Sequence, residues 1–299
     1  MMKNNKTLSY ISVVTAMLLW AMSFIWSKLA FETYAPFTVL LFRLSIAGFV
    51  LYFVAKALNL LQKVKKEDFK IIILLSFFEP FLYFVGENFG LALVTPSTAS
   101  IIISTIPLFM PLIGFYFFKE KVSLHNVFGV LISVIGVLFV ILNKDLTISG
   151  SPLGIALLSL AVFSALGYTV VLKYITYKYN AFTIVFWQNV FASIAFLPFF
   201  LFFDYKAFIT VGVFEYDFIY IIFLALFASN GAFLLYTFAL KQFGVAKIGI
   251  FTNLIPTFTL LISYFVFAEQ LSLQKYLGVV LVILGLLVSE KILVKLFKK

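Results

Sequence analysis

Runs of apolar residues, each long enough to form a membrane-spanning helix, follow one another along this chain with only short polar stretches between them. A helix needs about 20 such residues to cross the ~30 Å hydrocarbon layer of a bilayer. That length predicts ten spans, at 9–29, 36–57, 69–93, 95–118, 124–142, 152–173, 181–203, 218–242, 245–267 and 273–291. Most connections are short. Asn143–Pro152 and Asp204–Asp217 carry the turn-forming residues, and the first of them separates two halves, 1–146 and 147–299.

The halves repeat one another. Ile106–Leu138 recurs as Ile255–Leu287, a displacement of 149 residues, with Pro107/Pro256, Glu120/Glu269, Ser123/Ser272, Gly129/Gly278 and Gly136/Gly285 in register. Apolar matches mean little in so apolar a chain, whereas Pro, Glu, Ser and Gly in register mean a duplication. Phe89/Phe238 and Leu91/Leu240 share the displacement, and Tyr34–Thr38 answers Tyr179–Thr183 at 145. Each half therefore holds five spans. An odd number sends the second half in from the opposite side, so the expected fold is all-α, ten transmembrane helices in two inverted five-helix repeats.

Charge agrees with that arrangement. With the N-terminus placed in the cytoplasm, the clusters Lys63, Lys65, Lys66 and Lys119, Lys121 and the lysines of 291–299 fall inside, while Lys28, Lys144, Lys206 and Lys275 fall outside. Lys119-Glu120-Lys121 becomes Ala268-Glu269-Gln270 in the second copy, so both lysines vanish where inversion turns the same loop outward. Both termini are expected in the cytoplasm and both turn-rich loops outside. The first apolar run lacks a small-residue cleavage site and reads as a retained helix.

Composition narrows the function classes. The chain is 64% hydrophobic and 11% charged, against roughly 45–50% and about 25% in a soluble domain. Only an integral membrane protein fits. With no Cys and one His, His125, thiolate chemistry and a metal site have no residues to use, and no cofactor is expected. The +10 net charge follows membrane orientation rather than a nucleic-acid partner. No nucleotide-binding loop is present, so ATP does not drive the protein. An enzyme lacks a catalytic constellation, and a channel is disfavoured by a ten-span duplication.

The chain resembles the drug/metabolite transporter superfamily, EamA type. The resemblance rests on Leu19-Trp20-Ala21, Arg43, Gly90-Leu91-Ala92-Leu93 leading into Thr95–Ser104, and the repeated Pro…Glu…Ser-Leu…Gly…Gly signature. It implies secondary-active transport, usually export, of small metabolites such as amino acids and related amines, by alternating access around a central cavity in the cytoplasmic membrane. Efflux of drugs or quaternary amines, or uptake, is the alternative within the same fold.

Charges inside spans are functional candidates, because each costs at least ~2.5–3.5 kcal/mol to place there. Arg43 and Glu87 lie about 10 and 9 Å from the same face at ~1.5 Å per residue, close enough in depth to pair as a clasp or as a gate. Glu79 sits deeper, with no basic partner in its own repeat. It can hold a cationic group, carry a coupling proton, or be a satisfied neutral acid. Pro80 should bend its helix, and Pro107, Pro111 and Pro256 theirs. In the second half Arg43 becomes Gln188, Glu79 becomes Ala228 and Glu87 becomes Tyr236. Gln188, Asn189, Asn230 and Asn253 read either as ligand contacts or as interhelical glue. Trp20, Tyr83, Trp187 and Tyr236 read as cavity aromatics or as packing. Glu120 with Ser123, and Glu269 with Ser272, read as structural helix starts.

Overall fold

The computed structural model describes residues 6–118, 124–141, 150–243, 251–252, 254–268 and 272–289, all helices and short connections without a strand among them. Helix α1 is Lys6–Ala30 and α2 Pro36–Ala57. The third span divides into α3 (Phe69–Ser76), a wide π turn Phe77–Leu82, and α4 (Tyr83–Leu93). Then come α5 (Pro96–Ile103), α6 (Ile106–Phe118), α7 (Leu124–Ile141), α8 (Pro152–Ile175) and α9 (Ala181–Phe199). After the π turn Phe200–Asp204 comes α10 (Tyr205–Val211). The eighth span is α11 (Phe218–Phe223), a π stretch Leu224–Ala232, and α12 (Phe233–Phe243). Last are α13 (Leu254–Phe267) and α14 (Leu273–Ser289).

Seven helical spans among these residues, breaks included, are long and apolar enough to cross a membrane, and Val127–Phe139, Leu254–Phe267 and Leu273–Gly285 are shorter apolar helices. The protein is an all-helical integral membrane protein. Large apolar side chains such as Phe49, Phe163, Phe202 and Phe265 stand exposed, as a lipid-facing surface requires.

Two boundaries differ from the sequence expectation. Asp204–Asp217 is not all loop: helix continues to Val211 because nothing in Tyr205–Val211 interrupts it, and it stops at Gly212, whose φ of 73° suits glycine. The fourth span breaks at Ser104–Thr105 rather than at its prolines. Pro107 instead occupies the first turn of α6, where its missing N–H costs no hydrogen bond. Lys119–Ser123, residues 142–149, Asn253 and Glu269–Leu271 lie outside the described residues. Ser272 accepts the Lys275 N–H at 3.4 Å, a long N-terminal cap.

Packing follows small residues. A Cβ on Gly136 of α7 would lie 2.7 Å from both Gly278 O and Val282 N of α14, so glycine is what lets these helices touch. Gly86 and Gly90 of α4 admit α8 in the same way, against Ala161 N and Leu158. Pairings repeat between the halves: α8 packs on α4, α5 and α6 much as α1 packs on α12 and α13, while α2 meets α9 and α7 meets α14.

Candidate functional site

The break in the third span starts the site. Pro80 has no N–H to donate and disfavours a helical conformation in the residue before it. Glu79 is accordingly extended (φ −146°, ψ 123°), and its bond to Pro80 is cis. Carbonyls released in an apolar interior must find other donors. Ser164 Oγ of α8 donates to Phe78 O at 2.6 Å, and Gln188 Nε2 of α9 donates to Glu79 O at 3.0 Å.

The eighth span loosens at the matching place without a proline, through Ser229-Asn230-Gly231, all weak helix formers. Arg43 Nε donates to Ser229 Oγ at 3.1 Å. Asn230 Nδ2 donates to Ala47 O at 2.9 Å, and Asn230 Oδ1 accepts from Asn189 Nδ2 at 3.1 Å. Arg43 and Gln188 are repeat-related, so each half reaches across to brace the broken helix of the other.

The expected Arg43–Glu87 ion pair is not formed. The Phe84 ring lies 4.3 Å from the guanidinium carbon, a cation–π contact, and Glu87 accepts instead from Tyr83 Oη at 3.0 Å. Phe84 and Tyr83 thus take the two groups that equal depth alone would have joined. Arg43 is 2% exposed, and its Nη1 has no hydrogen-bond partner, an unusual state for a buried donor.

Beside these groups is a cavity of about 90 Å³ whose walls hold Trp20, Arg43, Glu79, Tyr83, Glu87 and Tyr236 together. Trp20 packs on Tyr236 and Phe233 at ring separations of 4.9 and 5.3 Å, making one aromatic wall. Gln188 and Asn230 do not line it; they brace the broken helices behind it. Trp187 lies apart, stacked on Phe191. Sequence reasoning missed Tyr168, Ser23, Ser104 and Thr169, which also line the chamber. The repeat itself could have found some of them. Trp20/Ala165, Ser23/Tyr168 and Phe24/Thr169 are related by 145 residues, and Phe84/Phe233, Glu87/Tyr236, Ile103/Thr252 and Ile106/Ile255 by 149.

Chemically, two carboxyls, one guanidinium, hydroxyls and an aromatic wall can hold a small molecule carrying both charged and apolar parts. Among the described residues no three His, Asp or Glu side chains are placed to hold a metal ion.

A bundle of apolar helices around such a chamber defines a multi-pass membrane protein with an internal binding-sized site. The model of the EamA-like transporter family matches residues 7–142 and again 152–290, and the chain belongs to that family. It is similar to YetK of Bacillus subtilis (strain 168), named an uncharacterized transporter, at 26% identity over 94% of this chain and 86% of that protein. YcxC of the same organism, likewise named, is 24% identical over 97% and 95%. An uncharacterized transporter of Archaeoglobus fulgidus is 26% identical over 89% and 93%. One crystal structure shares the fold at a TM-score of 0.72, with 15% identity and coverage of 99% and 100%. The chain is a membrane transporter.

Proposed function

We propose that this chain is a secondary-active exporter of small dipolar metabolites, amino acids or related amines, working by alternating access to the central cavity. The observation that carries the reading is the composition of the cavity wall, drawn from repeat-related positions of both halves, with Glu79, Glu87 and Arg43 set into it. Arg43 Nη1, lacking an acceptor, suits a substrate carboxylate, and Glu79 suits an amine or a coupling proton. Tyr83, Trp20 and Tyr236 complete the substrate contacts, with Gln188 and Asn230 holding the helices that carry them.

The same reading includes two inverted five-helix repeats, 1–146 and 147–299, with both termini on the cytoplasmic side of the inner membrane. The double family match, the exchanged helix pairings and the loss of Lys119 and Lys121 from the second copy support it. Efflux of quaternary amines is the second reading, favoured by the Trp20–Tyr236 wall near two acids.

Proteoliposome uptake separates the two. Saturable accumulation of a labelled amino acid, competed by other amino acids, is expected. Competition by tetraalkylammonium ions alone selects the second reading, and uptake that does not saturate sinks both.

A further inference from the structure

The exchanged pairings gather α1, α2 and α11–α13 into one group of helices and α3–α6, α8 and α9 into another, and the main contacts between the two groups are two seams, α2 against α9 and α5 against α13. The first is tied at both ends. At one end Lys178 Nζ donates to Asp68 Oδ1 at 2.6 Å, an ion pair. Tyr179 Oη donates to Asp68 Oδ2 at 2.8 Å and accepts from Lys65 N at 3.1 Å, and Thr183 Oγ1 accepts from Gln62 N at 2.9 Å. Asn180 adds donations to Gln62 Oε1 and Leu60 O, both at 2.6 Å. At the other end Thr33 Oγ1 donates to Asp217. Tyr34 Oη donates to Gly212 O at 2.9 Å, and Thr38 N and Oγ1 donate to Asp204 Oδ2 at 2.8 and 3.2 Å.

These two ends are one device used twice. Thr33/Lys178, Tyr34/Tyr179 and Thr38/Thr183 are related by 145 residues, and Asp68/Asp217 by 149. In each copy an aspartate just before the third or eighth span is held by the residue preceding a tyrosine, and that tyrosine reaches into the connection of the opposite half. The α2 and α9 helices start inside these clusters, so each helix is fastened where it begins and where its partner ends.

The other seam is built differently. Its fourth span is broken at Ser104–Thr105, and the ninth is not helical at Thr252, the position repeat-related to Ile103. Both clusters of the first seam are closed together in one and the same structure.

We infer that the α2–α9 seam stays shut throughout transport, held by two repeat-related clamps, and that access to the cavity changes at the α5–α13 seam. The inference rests on the alternating-access reading above. It assigns Asp68, Lys178, Tyr179, Thr33, Tyr34 and Asp217 a positioning role away from the cavity.

The chain has no cysteine, so spin labels can be placed in pairs without background. Lys63→Cys with Tyr177→Cys spans the first clamp, Glu32→Cys with Phe214→Cys the second, and Thr95→Cys with Val266→Cys the α5–α13 seam. All six positions are exposed and leave the clamp residues intact. Pulsed electron–electron resonance of the full chain in lipid nanodiscs should give one narrow distance population at each clamp pair. It should give at least two at the third pair. Adding Asp68→Ala should broaden the first clamp pair and leave the second unchanged. A second population at either clamp in the parent chain, a single one at the third pair, or no response to Asp68→Ala overturns the inference. Failure of the transport reading registers elsewhere, as absence of saturable uptake in proteoliposomes, which these distances do not involve.

Discussion

Glu79 concentrates the chemistry of the chamber at one side chain. It stands at a proline break, its carbonyl is held by Gln188, and its carboxyl faces a cavity shared with Glu87 and Arg43. Glu79→Gln keeps the shape and removes the titration. The variant should stay folded, since the backbone bond to Gln188 is untouched, and should lose gradient-driven or pH-dependent transport at least tenfold. Wild-type uptake across the pH range in proteoliposomes would leave Glu79 a structural acid. Glu79, Glu87 and Arg43 were legible in the sequence because a charge in an apolar run is costly and stands out. Who pairs with whom was not. Equal depth fixes one coordinate of a contact, whereas Phe84 and Tyr83 decide the others through the rotation of their helix. Tyr168 was hidden for another reason: with 15 Tyr and 40 Phe in the chain, one more aromatic in a span carries no signal by itself.

At the scale of helices, apolar length located the spans, and glycine and proline located where helices touch or break. The glycines seven apart are a case in which the residue type stated its role. Gly136 lies against the backbone of α14, at Gly278 O and Val282 N, which cannot yield as a flexible side chain would. Gly136→Val should therefore separate α7 from α14 and cost ~1–3 kcal/mol, the usual range for overpacking. A substitution such as Gly212→Ala would meet no neighbouring atom and pay only for its positive φ of 73°. Thermal unfolding of the purified variants in detergent checks the ranking, and an unchanged midpoint for Gly136→Val would count against close α7–α14 packing. The wide turn at Leu224–Ala232 was not legible, because Ser229-Asn230-Gly231 lowers helix propensity without forbidding helix. What makes it a brace point is Arg43, nearly two hundred residues earlier in the chain, and no local pattern reports that.

For the whole molecule, the way the two halves hold each other can be titrated. Lys178 lies outside the spans, and its hydrogen bond to Asp68 raises its pKa above the ordinary lysine value. A raised lysine adds stability that is fully present below the unfolded-state value of about 10.4 and is lost as pH climbs through the folded-state value. Lys178→Gln should thus lower the unfolding midpoint near neutral pH. The gap to wild type should close above pH ~10.4, where the lysine loses its proton, and again in acid below the ordinary aspartate value of about 3.9, where Asp68 gains one. A gap that persisted unchanged above the lysine range would mean that the lysine charge is not what stabilises the contact.

The proposed inversion makes a prediction of its own. If the second half enters from the opposite side, the clamp around Lys178 and the clamp around Asp217 sit on opposite membrane faces, although repeat-related residues build both. On the proposed orientation the Lys178 end faces the cytoplasm, with Lys63, Lys65 and Lys66, and the Asp217 end lies outside, with Lys206. Tyr177 and Phe214 are exposed reporters beside the two clamps, 84% and 98% accessible. In intact cells a membrane-impermeant thiol reagent should label Phe214→Cys and spare Tyr177→Cys, and permeabilisation should expose both. Labelling of Tyr177→Cys but not Phe214→Cys would reverse the orientation. Labelling of both in intact cells would put the two clamps on one face, and the inverted repeat could not stand.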